Sequence, residues 1–276
     1  MTANQEFTAL HHGDRPFVLP NAWDVGSGLF LADAGFPAVG TTSLGMNAAA
    51  GLPDGAEAGL DAAVDLGCAL ARRLRVPVTV DIEGGFSADP ADVAALAARL
   101  AGAGVAGINL EDRLPSGGLR PAAEHAVFIE AVVAAAPGLF VNARTDTYWL
   151  KTPAPPGRLG ETLRRAAAYR AAGAHGLFVP GLAEADIAAV AGGAGIPLNV
   201  LWQPGTRLAE LASAGAARVS TGSAPYRAAL AAALRTAAEA REAPAPPAGP
   251  VSYDEVQRVL ASAGLLAPVT PARQFG

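Results

Sequence analysis

The chain has 276 residues, 51% of them hydrophobic and only 16% charged, which excludes a disordered polypeptide, because disorder needs low hydrophobicity and dense charge. A net charge of −5 and a pI near 5.4 argue against a nucleic-acid binder, which carries a basic footprint. No apolar run is long enough to read as a membrane span, Met1 to His12 lacks the regions of a signal peptide, and the lone Cys68 suits a reducing compartment, so the expectation is a cytoplasmic protein.

Strands are predicted at 17–22 (FVLPNA), 37–42 (PAVGTT), 77–83 (PVTVDIE), 107–112 (GINLED), 139–145 (LFVNART), 176–181 (GLFVPG), 197–202 (PLNVLW) and 218–222 (RVSTG). Most begin as continuous apolar runs, as expected of parallel strands buried on both faces. Helical patterns fall between them, near 24–34, 59–74, 91–103, 121–135, 158–172, 184–192, 206–214 and 223–241. Asp89-Pro90 reads as a helix start, and Gly35, Gly102 and Gly173 as helix ends. Strand and helix thus alternate through eight units, and the length is close to the roughly 250 residues typical of a (β/α)8 barrel. A doubly wound open sheet is the alternative. Residues 1–242 read as the barrel, the proline-rich APAPPAGP (243–250) as a linker, and 251–276 as a C-terminal arm with an amphipathic helix at 252–266. That helix has an apolar stripe of Val256, Val259, Leu260 and Leu265, to be buried on its own barrel or on a neighbouring subunit.

In such barrels chemistry sits at the C-terminal strand ends. Here those ends are polar: Thr41-Thr42-Ser43-Leu44-Gly45, then Asp54 after Leu52-Pro53; Asp81-Ile82-Glu83; Asn109-Leu110-Glu111-Asp112; and Asn142-Ala143-Arg144-Thr145-Asp146. Asp81 and Glu83 are spaced to face one side of their strand, as are Asn109 and Glu111. Converging carboxylates repel one another unless a cation neutralises them. Oxygen donors without histidine favour a hard cation, Mg2+ or Mn2+. Glu83 or Asp81 would bind it directly, while Asp54 and Glu111 hold its waters. Arg144 offers a fork for a substrate carboxylate. Thr42, Ser43 and Leu44 read either as a plain turn or as a cradle for a carboxylate or oxyanion.

The scarce residues are mostly structural in this reading. His175 precedes a strand and belongs on the bottom rim, His125 lies in a helix, and Cys68 fills a helix face. Lys151, the only lysine, falls on the top rim, and Trp23 either lines the mouth or packs.

The segments PNAWDVGSGLFLADAGFPAVGTTSLG, GLPDG, VPVTVDIEGGF, GVAGINLEDR, VNARTD and GAARVS, in that order over roughly 17–240, resemble the isocitrate lyase/phosphoenolpyruvate mutase superfamily. The resemblance implies a (β/α)8 barrel and Mg2+. It also implies chemistry on small 2-oxo or 2-hydroxy carboxylates through an enolate-like state, in a homotetramer that exchanges C-terminal helices. It further implies that Thr42, Ser43 and Leu44 hold the substrate's carboxylate end, that Asp54, Asp81, Glu83 and Glu111 form the metal shell, and that Arg144 meets the substrate. Asn109 lies where many lyases carry histidine, and Glu83 where better-known members carry aspartate. The chain departs from the lyases after Glu111-Asp112. Their mobile Lys-Arg-Cys-Gly-His loop is replaced by Arg113-Leu114-Pro115-Ser116-Gly117-Gly118-Leu119-Arg120, and Val179-Pro180-Gly181 lacks a glutamate that they use. Cleavage of isocitrate or 2-methylisocitrate in the usual manner is therefore not expected. Ser116, Glu111 or a metal-bound water remain as general acid/base candidates. The expected function is a Mg2+-dependent C–C lyase, decarboxylase or hydrolase, with a P–C bond mutase or hydrolase, or a non-catalytic 2-oxo acid binder, as alternatives.

Overall fold

The computed structural model describes residues 1–52, 59–154, 157–244 and 246–263. Helix α1 (Ala3–Leu10) precedes the barrel and was not anticipated: its segment looks polar, although Thr2 and Gln5 form a reciprocal capping box at its start. The run 17–22 becomes two short strands, β1 (Phe17–Leu19) and β2 (Asn21–Ala22), because Pro20 between them has no N–H to donate.

The chain continues through α2 (Val25–Asp33), β3 (Val39–Thr41), α3 (Ser43–Ala49), α4 (Leu60–Arg73), β4 (Val78–Asp81), α5 (Pro90–Gly102) and β5 (Gly107–Glu111). Then come α6 (Ala122–Ala135), β6 (Phe140–Arg144), α7 (Gly157–Ala171), β7 (Gly176–Val179), α8 (Glu184–Ala194), β8 (Leu198–Leu201), α9 (Leu208–Ser213), β9 (Ala216–Ser220), α10 (Ala224–Ala240) and α11 (Tyr253–Ala263). All strand pairings are parallel, in the order β1-β9-β8-β7-β6-β5-β4-β3-β2. Since β1 pairs with β9 and β2 with β3, and only Pro20 separates them, the two are one broken stave that closes the sheet. The result is the (β/α)8 barrel.

The floor is packed tightly by α1. Phe7 is fully buried with Phe17, Leu19, Ala38, Ala106 and Phe140. It fits because Gly107 has no side chain: a Cβ there would lie 2.8 Å from the Phe7 ring and 2.9 Å from the Phe140 carbonyl. The larger apolar core lies between the strands and the outer helices and includes Val80, Ile108, Val141, Leu177 and Val200. At the opposite end, α11 lies across its own barrel in the single chain. Val256 is buried against Leu44 and Tyr226, and Val251 is pinned by its N–H to the Arg227 carbonyl and by Arg227 Nη1 to its own carbonyl. Val259 of the predicted stripe is exposed, and Leu265 lies outside the described residues. Among the described residues, no helix is long and apolar enough to cross a membrane.

Candidate active site

The C-terminal strand ends surround a cavity of about 580 Å3, counting its solvent-open mouth. Thr42, Ser43, Leu44, Asp81, Asn109 and Arg144, all singled out from sequence, line it. Trp149, Phe178 and Tyr253 supply an apolar side, and Tyr253 of α11 meets Trp149 edge to face at 5.4 Å. Asn21 stitches the closing seam beside the cavity, donating to the Thr41 carbonyl at 2.8 Å and accepting from Gly222 N–H at 2.9 Å.

The segment after β3 is not a loop but the short helix α3, with Thr42 at its head making no side-chain capping bond. Its first N–H, from Ser43, points at Asp81 Oδ2 at 3.5 Å, while the Asp81 N–H donates to Thr41 Oγ1 at 2.9 Å. Strand β4 ends at Asp81, two residues earlier than predicted, so strand alternation does not set the Glu83 direction. Glu83 instead has φ +48°, in the left-handed region that a non-glycine residue adopts only when its surroundings hold it there. Asn47 of α3 does so, its Nδ2 donating to Glu83 Oε1 at 2.9 Å. Asn109 and Glu111, both on β5, keep the predicted alternation.

Arg144 is partly buried at the centre of the charge. Its Nη1 donates to Glu111 Oε2 at 2.7 Å, and its Nε and Nη2 grip both oxygens of Asp146 at 2.6 and 2.9 Å. Asp146 is fixed in turn by its own N–H to Asp112 Oδ1 at 2.9 Å; Asp112 Oδ2 accepts from Arg165 and Tyr169 at 2.9 and 2.7 Å. Burial pushes the Glu111 carboxyl well above the ordinary carboxylate range; Arg144 opposes this, and the neighbouring Asp146, Asp81 and Glu83 reinforce it.

The other sequence candidates fall elsewhere. Ser116 is exposed in the turn closed by Leu114 N–H to the Gly118 carbonyl, and it does not line the cavity. Asp54 lies outside the described residues. Lys151 is exposed and away from the cavity, and Trp23 packs on Tyr226 at 5.7 Å. His175 Nδ1 accepts the Val141 N–H at 3.1 Å, a structural bond, as its position suggested. Sequence reasoning did not single out Asn21, Asn47, Asp146, Trp149, Phe178, Arg218 or Tyr253. Both Asp146 and Arg218 stood inside quoted motifs, VNARTD and GAARVS: Asp146 two residues from the Arg144 that it grips, Arg218 far in sequence from its partner Asn109.

The donor set suits a hard divalent cation. Asp81, Glu83 and Glu111 are buried carboxylates; burial first, and the neighbouring acids after it, raise Glu111, and a cation would favour the charged forms. Among the described residues no group of three or more His, Cys, Asp or Glu is placed to hold a metal ion. Mg2+ could be held here only by one or two direct carboxylates, with waters completing its shell.

A closed parallel barrel with carboxylates and a partly buried arginine at its C-terminal mouth has the architecture of a small-molecule enzyme. The phosphoenolpyruvate phosphomutase family model matches residues 7–241, and the chain belongs to that family within the isocitrate lyase/phosphoenolpyruvate mutase superfamily. An uncharacterized protein of Mycobacterium tuberculosis is 44% identical over 232 residues, 84% of this chain and 87% of its own length. The crystal structure of a proposed phosphonomutase from Burkholderia cenocepacia is 40% identical, with a TM-score of 0.81, covering 87% of this chain and 99% of that one. A phosphonopyruvate hydrolase, crystallised with oxalate and Mg2+, shares the fold at 21% identity and a TM-score of 0.78, over 96% of this chain and 97% of that one.

Proposed function

We propose that the chain is a Mg2+-dependent enzyme that breaks a bond next to the carbonyl of a small 2-oxo or 2-hydroxy carboxylic acid through an enolate-like state, as a C–C lyase, decarboxylase or hydrolase. The observation that carries this reading is the meeting, around one cavity, of Asp81, Arg144 and the head of α3. The cation, Mg2+ or Mn2+, would be held by Asp81 and Glu83, with Glu111 and Asp54 on its waters, and supplies Lewis-acid stabilisation of charge developing on a substrate oxygen.

Thr42, Ser43 and Leu44 receive the substrate's carboxylate end at the start of α3, where the first N–H groups of a helix lack partners within it. Arg144 has three of its N–H groups engaged by Glu111 and Asp146. A guanidinium carries five, so further donors remain for a substrate oxygen, and the carboxylates keep the fork from rotating. Trp149, Phe178 and Tyr253 shield the reacting end from water. Glu111, whose carboxyl Arg144 orients at 2.7 Å, is the residue placed to act as general acid/base. Ser116, exposed on its turn, is the weaker candidate for that role.

A second reading, P–C bond chemistry on a phosphonate, is favoured by the 40% identity to the proposed Burkholderia phosphonomutase. A turnover screen with Mg2+ over oxaloacetate, isocitrate, 2-methylisocitrate, malate derivatives and phosphonopyruvate tests both. Turnover of a carbon acid supports the first, and turnover of phosphonopyruvate alone supports the second. Saturable binding with no turnover across the set refutes both and identifies a binding protein.

A further inference from the structure

Arg218 projects from β9 into the barrel interior, where it is fully buried, yet no carboxylate pairs with it among the described ion pairs. Its Nη2 donates to Asn109 Oδ1 at 3.1 Å and its Nε to Ser220 Oγ at 3.1 Å, while its Nη1 has no partner. Asn142 Nδ2 donates to the same Asn109 oxygen at 2.9 Å. Asn109 and Ser220 line the cavity, whereas Arg218 lies behind them. Burial drags the guanidinium down to about 9, with Asp81 the one charge that opposes this.

A guanidinium only donates, so whatever meets it must accept. The Asn109 amide therefore turns its oxygen towards Arg218, and with that oxygen in place Asn142 must present its nitrogen. The usual freedom to flip an amide is absent here. What remains of Asn109 for the cavity is its Nδ2.

We infer that Arg218 is a positioning residue that fixes Asn109 as an N–H donor in the cavity, selecting ligands that present a proton-free oxygen, such as a carboxylate or 2-oxo group, against Asn109. This rests on the functional reading above and assigns the polarity of one wall of that site.

Two experiments test it. In calorimetric titration of oxalate in the presence of Mg2+, Asn109→Asp should weaken binding roughly 10- to 100-fold, because a donor is replaced by an anionic oxygen. Arg218→Met should also weaken binding, with partial recovery in Arg218→Lys, whose ammonium still donates. Oxalate affinity unchanged in Asn109→Asp would mean that the amide shows its oxygen to the cavity, which overturns the inference.

The coupling itself is read without ligand, by thermal melting. Asn109→Asp should be tolerated beside Arg218, which pairs with the new carboxylate, and should lower the melting temperature sharply in the Arg218→Met background, where that carboxylate is buried alone. Equal costs in both backgrounds refute the coupling. A wild-type chain that binds neither oxalate nor pyruvate refutes the functional reading and the ligand half of the inference, while the melting cycle still decides the Arg218–Asn109 half.

Discussion

Acid should destabilise the barrel through a histidine in its floor. His11 closes α1, is 4% exposed and stacks on Phe140 with ring centroids 3.9 Å apart. Its Nδ1 bonds the Phe7 carbonyl at 2.8 Å, which only accepts, so Nδ1 carries the proton. Its Nε2 is buried without a partner, so a second proton there would be a charge without solvent. Burial, then the nearby Arg218, pull His11 down to about 3 from its ordinary 6.5. Between those values the unfolded chain binds the proton and the folded chain does not, so the contribution is intact above about 6.5 and is lost as pH falls towards 3. At pH 5 the loss is about 2 kcal/mol, a sizeable share of the roughly 5–15 kcal/mol of a folded domain. Urea unfolding of wild type and His11→Phe at pH 7.5 and 5 isolates it, because every other titrating group is common to both chains. The variant should lose about 2 kcal/mol less than wild type over that interval. An equal loss in both would refute the reasoning.

The remaining predictions concern the mouth, the helix layer and assembly. Asp81→Ala and Glu83→Ala should each lower Mg2+ affinity strongly by calorimetry, and unchanged affinity in both would remove the proposed metal site. Cys68, half-buried on α4 against the core and away from the cavity, should tolerate Cys68→Ser with oxalate binding intact; a hundredfold loss in a normally melting variant would contradict its placement. We propose a homotetramer that exchanges its C-terminal helices, consistent with Phe30, Leu234 and Val259 being left exposed in the single chain. Light scattering should give an oligomer for the intact chain and a smaller species for a truncation at Ala243, and a 27.6 kDa monomer at micromolar concentration would refute it.

The alternation of buried strands and amphipathic helices was legible in residue order, because period and turn chemistry are local properties. It placed the strands of all eight units and their outer helices, mostly within a residue or two at each end. The polar strand ends likewise pointed to one rim, since parallel strands in a barrel all finish on the same side. Two helices escaped: α1 has only Phe7 and Leu10 as large apolar side chains and is held by the floor into which Phe7 inserts, while α3 is seven residues long and reads as a turn. The charge pairing was equally illegible. Arg144 looked like a free fork for substrate, yet Asp146 grips it and Glu111 bonds it from the neighbouring strand. Glu83 takes its direction from Asn47 on α3 rather than from strand alternation. Arg218 meets Asn109 across 109 residues of chain. Apart from the Arg144–Asp146 pair, which lies within one motif, such contacts are set by strand tilt and by closure of the barrel at Pro20, which bring side chains from distant strands together inside it. Those are properties of the closed sheet, and no local run of sequence contains them.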